Sequence, residues 1–257
     1  MTKIRVVMVL VSPFWLLLAA CQNPSGGTTQ NNERTQKVTP MPIGSPMITG
    51  PITYLALGDS TGSGVGASEA GGGYVARLFK RIVTHRPGSK LINLCFSGAT
   101  TSDVLRDQLE SGVRANPHLV TLGIGINDIG HGLSLEQFSK NYEEILVRLK
   151  NNTRATIIVT NIPDISSAPQ IPAGMRHEYH QLIVEFNRRL AEIAAAHGVI
   201  VFDIYTVTHE QLPSHPEYFS DDGFHPSDEG YELWAGRMWP TIAQTIGVNA
   251  EATSISP

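Results

Sequence analysis

Five short apolar runs separated by helical stretches predict an α/β protein: a three-layer α/β/α sandwich around a five-stranded parallel sheet. Three observations carry this reading. The runs are rich in β-branched residues and bounded by Gly, Pro or Asn, as strands buried on both faces are. Between them, apolar residues recur at helical spacing, and strands alternating with helices imply right-handed crossovers. Finally, polar patches fall just past the strand ends, where sheets of this kind hold their sites.

The predicted strands, in order, are residues 52–57 (ITYLAL), 91–95 (LINLC), 119–122 (LVTL), 156–160 (TIIVT) and 199–202 (VIVF). A helical stripe of Phe138, Tyr142, Ile145, Leu146 and Leu149 follows Ser134 and Gln137, which read as a capping box. Tyr179, Leu182, Ile183, Phe186, Leu190 and Ile193 form a second stripe, with Gly198 as its stop. Weaker helical patterns cover 74–84, 102–115 and 227–246.

The domain is bounded by segments of different character. Residues 1–20 read as an export signal: Lys3 and Arg5 precede a mostly apolar stretch from Val6 to Leu18. Ser12 and Pro13 interrupt that stretch, and it is short for a spanning helix. Leu18-Ala19-Ala20-Cys21 resembles a bacterial lipobox, which implies lipid on Cys21, a cell-envelope location and a membrane contact made through that lipid. Residues 21–51 are poor in large apolar side chains and are expected to be a tether. Extended, it would reach on the order of 90–100 Å. Residues 52–247 are expected to form one domain, and residues 248–257 a disordered tail.

Charge and cysteine usage narrow the partners. Lys3 and Arg5 account for two of 19 basic residues, so the chain after the signal has 17 basic against 23 acidic groups, a formal charge of −6. That argues against nucleic acid, which needs a basic face. With Cys21 lipidated, Cys95 lacks a disulfide partner, and its apolar surroundings predict an inert thiol.

The chemistry lies in three patches: Gly58-Asp59-Ser60, Gly125-Ile126-Asn127-Asp128 and Asp222-Gly223-Phe224-His225, with Gly98 between the first two. A serine hydroxyl needs a base to take its proton, and histidine titrates near neutrality. A glycine backbone amide and an uncharged amide side chain suit a developing oxyanion. Gly58-Asp59-Ser60-Thr61-Gly62 also matches the G-x-S-x-G nucleophile elbow. Position argues against that reading, because the elbow follows several strands and this serine follows the first.

In this order the patches resemble the SGNH, or GDSL, hydrolase superfamily. The resemblance covers nearly the whole domain and implies its flavodoxin-like sheet. It implies Ser60 as nucleophile, His225 as base and Asp222, three residues before it, as the orienting acid. It further implies the amides of Ser60, Gly98 and Asn127 as oxyanion donors. Thr61 stands where the family's short name has Leu. The implied activity is hydrolysis of carboxylic esters through an acyl-enzyme: short acyl esters, O-acetylated glycans or lysophospholipids. Acyl transfer to a glycan, or binding without catalysis, are the alternatives. No metal or organic cofactor is implied.

Other polar residues read more plainly. His177, Glu178 and His180 share a helix, but the His-x-x-His spacing lacks a third ligand, so a solvated face is expected. Gly62, Gly64 and Gly66 read as a flexible loop beside Ser60. His131 is expected either in the cleft or exposed. Asp164 follows the fourth strand, and its role is left open.

Overall fold

A computed structural model describes residues 50–250. The predicted signal, Cys21, most of the tether and the end of the tail lie outside the described residues. The five strands are β1 (Thr53–Gly58), β2 (Lys90–Asn93), β3 (Leu119–Gly123), β4 (Thr156–Thr160) and β5 (Ile200–Phe202). Every pairing is parallel, in the order β2-β1-β3-β4-β5. The chain therefore changes direction across the sheet at β1 and β3, and the crevice beyond their carboxyl ends is the expected site.

Alternation along the strands divides the core in two. Leu55, Leu57, Val120, Leu122, Ile157 and Val159 face one side. They pack against α6 (Leu135–Asn152) and α7 (Arg176–Ala196), through Tyr142, Leu146, Phe186 and Leu190. Tyr54, Ala56, Leu119 and Ile158 face the other side. They meet α2 (Tyr74–His85) and α9 (Asp228–Thr245), through Leu78, Ile82, Trp234 and Met238. Both sheet faces are thus dry, which explains continuous apolar strands in place of alternating ones. Each fully buried aliphatic side chain contributes about 1.5–3 kcal/mol.

The structure departs from the sequence expectation at several ends. Ser134 caps α6 by accepting from Gln137 N at 3.1 Å, but the reciprocal half of the box is missing. The Gln137 side chain instead donates to Asn141 Oδ1 at 2.7 Å. The helix predicted over 102–115 is broken into α3 (Thr101–Asp103), a π-helical turn (Val104–Gln108) and α4 (Leu109–Arg114). Short helices α1 (Ser60–Ser63) and α5 (Ile126–Gly130) carry two of the three polar patches. Helix α8 (Ile204–Gln211) falls where no element is predicted from the sequence; its β-branched Ile204, Thr206, Val207 and Thr208 have low helix propensity. Asp203 decides it locally by accepting from Thr206 N at 3.0 Å as the cap. At the carboxyl terminus, Val248 N still donates to Ala243 O at 2.9 Å, past the predicted end of the domain. Among the described residues no helix is long and apolar enough to cross a membrane.

Candidate active site

Ser60 is the first residue of α1, immediately after β1, and is 4 % exposed. Asp59 caps the helix: its Oδ1 accepts from Thr61 N at 3.0 Å and Thr61 Oγ1 at 2.8 Å. Burial raises the Asp59 carboxyl above the usual range, against the pull of those bonds and of His225. The position that departs from Leu is therefore used. Thr61 satisfies the cap, and it also lines the cleft beside Ser60.

His225 reaches Ser60 from the loop before α9. Its Nε2 lies 3.0 Å from Ser60 Oγ, and its Nδ1 lies 2.6 Å from Asp222 Oδ2. The other oxygen, Asp222 Oδ1, accepts from Ser220 Oγ at 2.9 Å and from the amides of Phe224 and His225, each at 2.8 Å. Partial burial pushes the Asp222 carboxyl up. The bonds from His225, Phe224 and Ser220 outweigh it and hold the group at about 2. The loop is closed by a short antiparallel bridge between Phe219 and Pro226. Gly66 packs against it so closely that an added Cβ would stand 3.0 Å from His225 Cβ and 2.6 Å from Pro226 O. The glycines after Ser60 thus serve close packing where loop flexibility was expected.

The other two patches meet beside this chain of bonds. Gly98 adopts φ +80° on the turn after β2, with open space where a side chain would project. Asn127 lies in α5 and donates one amide hydrogen to Ala99 O at 2.9 Å, which leaves the second hydrogen for a ligand. Among the described residues neither Ser60 N nor Gly98 N donates to a protein acceptor.

Two supporting contacts have no signal in the residue pattern. Gln108 is 1 % exposed and pairs with both backbone groups of Gly58. Its Oε1 accepts from Gly58 N at 2.9 Å, and its Nε2 donates to Gly58 O at 2.8 Å. The π-turn sets this side chain inward, two residues from Ser60 along β1. Asp128, fully buried, accepts from Thr101 N at 3.1 Å and from Thr101 Oγ1 at 2.5 Å. Asn141 of α6 donates to the same Thr101 hydroxyl at 3.0 Å. Burial pushes Asp128 up to about 6, and the Thr101 bonds only partly oppose it.

The cleft at Ser60 and His225 is walled by apolar side chains, among them Ile126, Ile165, Leu212, Phe219, Phe224 and Trp234. Trp234 is fixed by stacking on Tyr74, with centroids 4.7 Å apart and planes 6° apart. Asp164 itself does not line the cleft, although its neighbours Pro163 and Ile165 do. His131 is exposed outside it. Cys95 is half-buried against Gly62, and burial pushes its thiol well above the usual range, which disfavours the reactive thiolate. His177 and Glu178 are solvated as expected, whereas His180 is not: its ring contacts Asp164.

A serine, an imidazole and a carboxylate joined in this order are equipped for acyl transfer. The chain belongs to the GDSL-like Lipase/Acylhydrolase family, whose pattern matches residues 56–233, and it is a hydrolase acting on esters. Among curated proteins it is similar to the spore germination lipase LipC of Bacillus licheniformis, at 27% identity over 216 residues, covering 73% of this chain and 94% of the relative. Among solved structures it resembles Axe2, an acetylxylan esterase from Geobacillus stearothermophilus, with a TM-score of 0.64 and 21% identity over 79% of this chain and 97% of that one. It also resembles LAE5, an alpha/beta hydrolase enzyme from the metagenome of Lake Arreo, with a TM-score of 0.61 and 22% identity over 78% of this chain and 97% of that one. These structures share its fold.

Proposed function

We propose that the protein is a serine esterase that cleaves carboxylic esters with an apolar acyl chain, through an acyl-enzyme on Ser60. The observation that carries this is the hydrogen-bonded series Ser60, His225, Asp222 opening onto an apolar cleft. In the proposed reaction Ser60 Oγ attacks the ester carbonyl carbon while His225 Nε2 takes its proton. Asp222 holds Nδ1–H and offsets the positive charge that forms on the ring. The oxyanion receives hydrogen bonds from Ser60 N, Gly98 N and Asn127 Nδ2. Collapse expels the alcohol, which takes the proton back from His225. Water then repeats the sequence on the acyl-enzyme and releases the acid.

The cleft favours acyl chains longer than acetyl, since apolar walls stabilise added methylenes by about 0.8 kcal/mol each when buried. The lipase relative is consistent with such a substrate, and the acetylxylan esterase names the competing one. A panel of acetyl, butyryl, octanoyl and lysophospholipid esters, together with acetylated xylan, tests this. Rising kcat/KM with acyl length supports the reading, and a preference for acetyl esters overturns the substrate class. Labelling by a fluorophosphonate probe that is lost in Ser60→Ala tests the nucleophile. An unlabelled wild type would mark a binding protein that keeps the fold.

We further propose that the domain is held at a membrane of the cell envelope by lipid on Cys21. The support is the short apolar segment ending in Leu18-Ala19-Ala20-Cys21.

A further inference from the structure

A second polar centre lies around Asp164, after β4, and it does not depend on the proposed esterase chemistry. Asp164 is 3 % exposed. Its Oδ2 accepts from two imidazoles, His180 Nδ1 of α7 at 2.9 Å and His209 Nδ1 of α8 at 2.7 Å. Its Oδ1 is held by Ser166 N at 3.0 Å, and its own amide donates to Thr208 Oγ1 at 2.8 Å. Tyr205 stacks on His209 with centroids 5.6 Å apart and planes 7° apart, which orients that ring. The His209 side chain is 55% exposed, so one direction stays open to solvent.

Two imidazole nitrogens and one carboxylate oxygen, from three separate segments, therefore lie within 4.8 Å of one another. Zinc takes such ligands at about 2.0–2.2 Å, which sets tetrahedral neighbours roughly 3.3 Å apart. To admit an ion, the two contacts to Asp164 would open by about half an ångström, and the two imidazole nitrogens, which lie within 4.8 Å, would draw together to about the same 3.3 Å. The bond from Ser166 would orient the carboxylate, as outer partners of metal ligands do.

We propose that Asp164, His180 and His209 form a binding site for a divalent transition metal, Zn²⁺ by ligand chemistry, with water in the fourth position. On binding, each neutral imidazole would give up its Nδ1–H bond to Asp164, hold its proton on Nε2 instead, and offer the Nδ1 lone pair to the ion. The ion would tie together the loop after β4, α7 and α8. Ile165 and Thr208, neighbours of two ligands, line the cleft, so the bound ion would stiffen that wall without touching the reacting atoms. The role is structural.

The test uses the full chain, free of any histidine tag and stripped with chelator, titrated with Zn²⁺ by calorimetry and with Co²⁺ by visible absorption. His180→Gln and His209→Gln are compared with His177→Gln, a solvated neighbour on the same helix. Wild type and His177→Gln should bind one ion per chain, and Zn²⁺ should raise their Tm. Loss of a ligand should weaken binding by at least the roughly 10–100-fold that loss of an outer partner costs. The Tm of those two variants should not respond to Zn²⁺. No uptake by wild type, or wild-type affinity in both ligand variants, overturns the site. Should His180→Gln not fold, His209→Gln decides alone, because its ring is largely in solvent.

Discussion

Asp221 and Asp222 are adjacent carboxylates, yet only one is built into the site. Asp222 uses both oxygens, one on His225 Nδ1 and one on the loop's own amides. Asp221 is exposed and makes no hydrogen bond or ion pair among the described residues. Asp222→Asn is expected to lower kcat/KM by about 10²–10⁴-fold, because the imidazole loses its tautomer and its counter-charge. Asp221→Asn should change it little. Parallel kcat/KM measurements decide, and a larger loss for Asp221→Asn would reverse the assignment. At Asn127, one amide hydrogen already holds Ala99 O, so only the other can reach substrate. Asn127→Ala should lower kcat by about 10²–10³-fold, the usual loss for one oxyanion donor. An unchanged kcat with a raised KM would make Asn127 a binding residue instead.

At the scale of elements, two buried polar side chains join pieces that the sheet leaves unconnected. Gln108 sits on the π-turn and closes the backbone of Gly58 just before the nucleophile. Replacing it with Leu leaves the buried Gly58 N–H without a partner, at about 1–3 kcal/mol, while Gly58 O keeps only the longer bond from Phe96 N at 3.4 Å. Urea denaturation of Gln108→Leu measures this, and a loss under about 0.5 kcal/mol would show that water fills the role. Asp128 joins α5 to the start of α3, and through Thr101 to Asn141 of α6. Its carboxyl titrates at about 6 in the fold, above the roughly 3.9 of an unfolded chain. The folded state therefore holds the proton more tightly, and Asp128 costs stability as pH rises from about 4 to about 6. Relative to wild type, Asp128→Asn should gain stability over that window, on the order of 2–3 kcal/mol. A difference between the two that does not move with pH would contradict this account.

For the whole molecule, the topological switch between β1 and β3 explains why patches so distant in sequence meet. Ser60 follows β1, Gly98 follows β2 and Asn127 follows β3, and all three strands point the same way. Helix α9 then returns across the α2 face and brings His225, on its entry loop, back to Ser60. Among the described residues no helix of this domain is long and apolar enough to cross a membrane. Attachment, as proposed, rests on Cys21. Cys21→Ser should leave esterase activity intact but move it from the membrane fraction to the soluble one, or leave the precursor uncleaved. Mass spectrometry finding an unlipidated wild-type amino terminus at another residue would refute the anchor.

The sequence by itself determined the class, the strand set and the three polar patches. These depend on local rules: β-branched runs, helical periodicity, and side chains whose chemistry has few other uses together. It separated Asp222 from Asp221 through the family resemblance, with a tight turn through Gly223 as the agreeing geometry. Local pattern gave no element at 204–211, where α8 forms behind the cap of Asp203, and one continuous helix at 102–115, where the chain widens to a π-turn. Tertiary structure alone decided the rest. Gln108 is one of many glutamines by type, and its role exists only because the π-turn aims it at Gly58, 50 residues earlier. Asp164, His180 and His209 are similarly unremarkable in sequence, with spacings of 16 and 45 residues between the bonded pairs. Such contacts follow from how helices pack over a sheet, and the linear order of residues does not encode packing as a periodic signal.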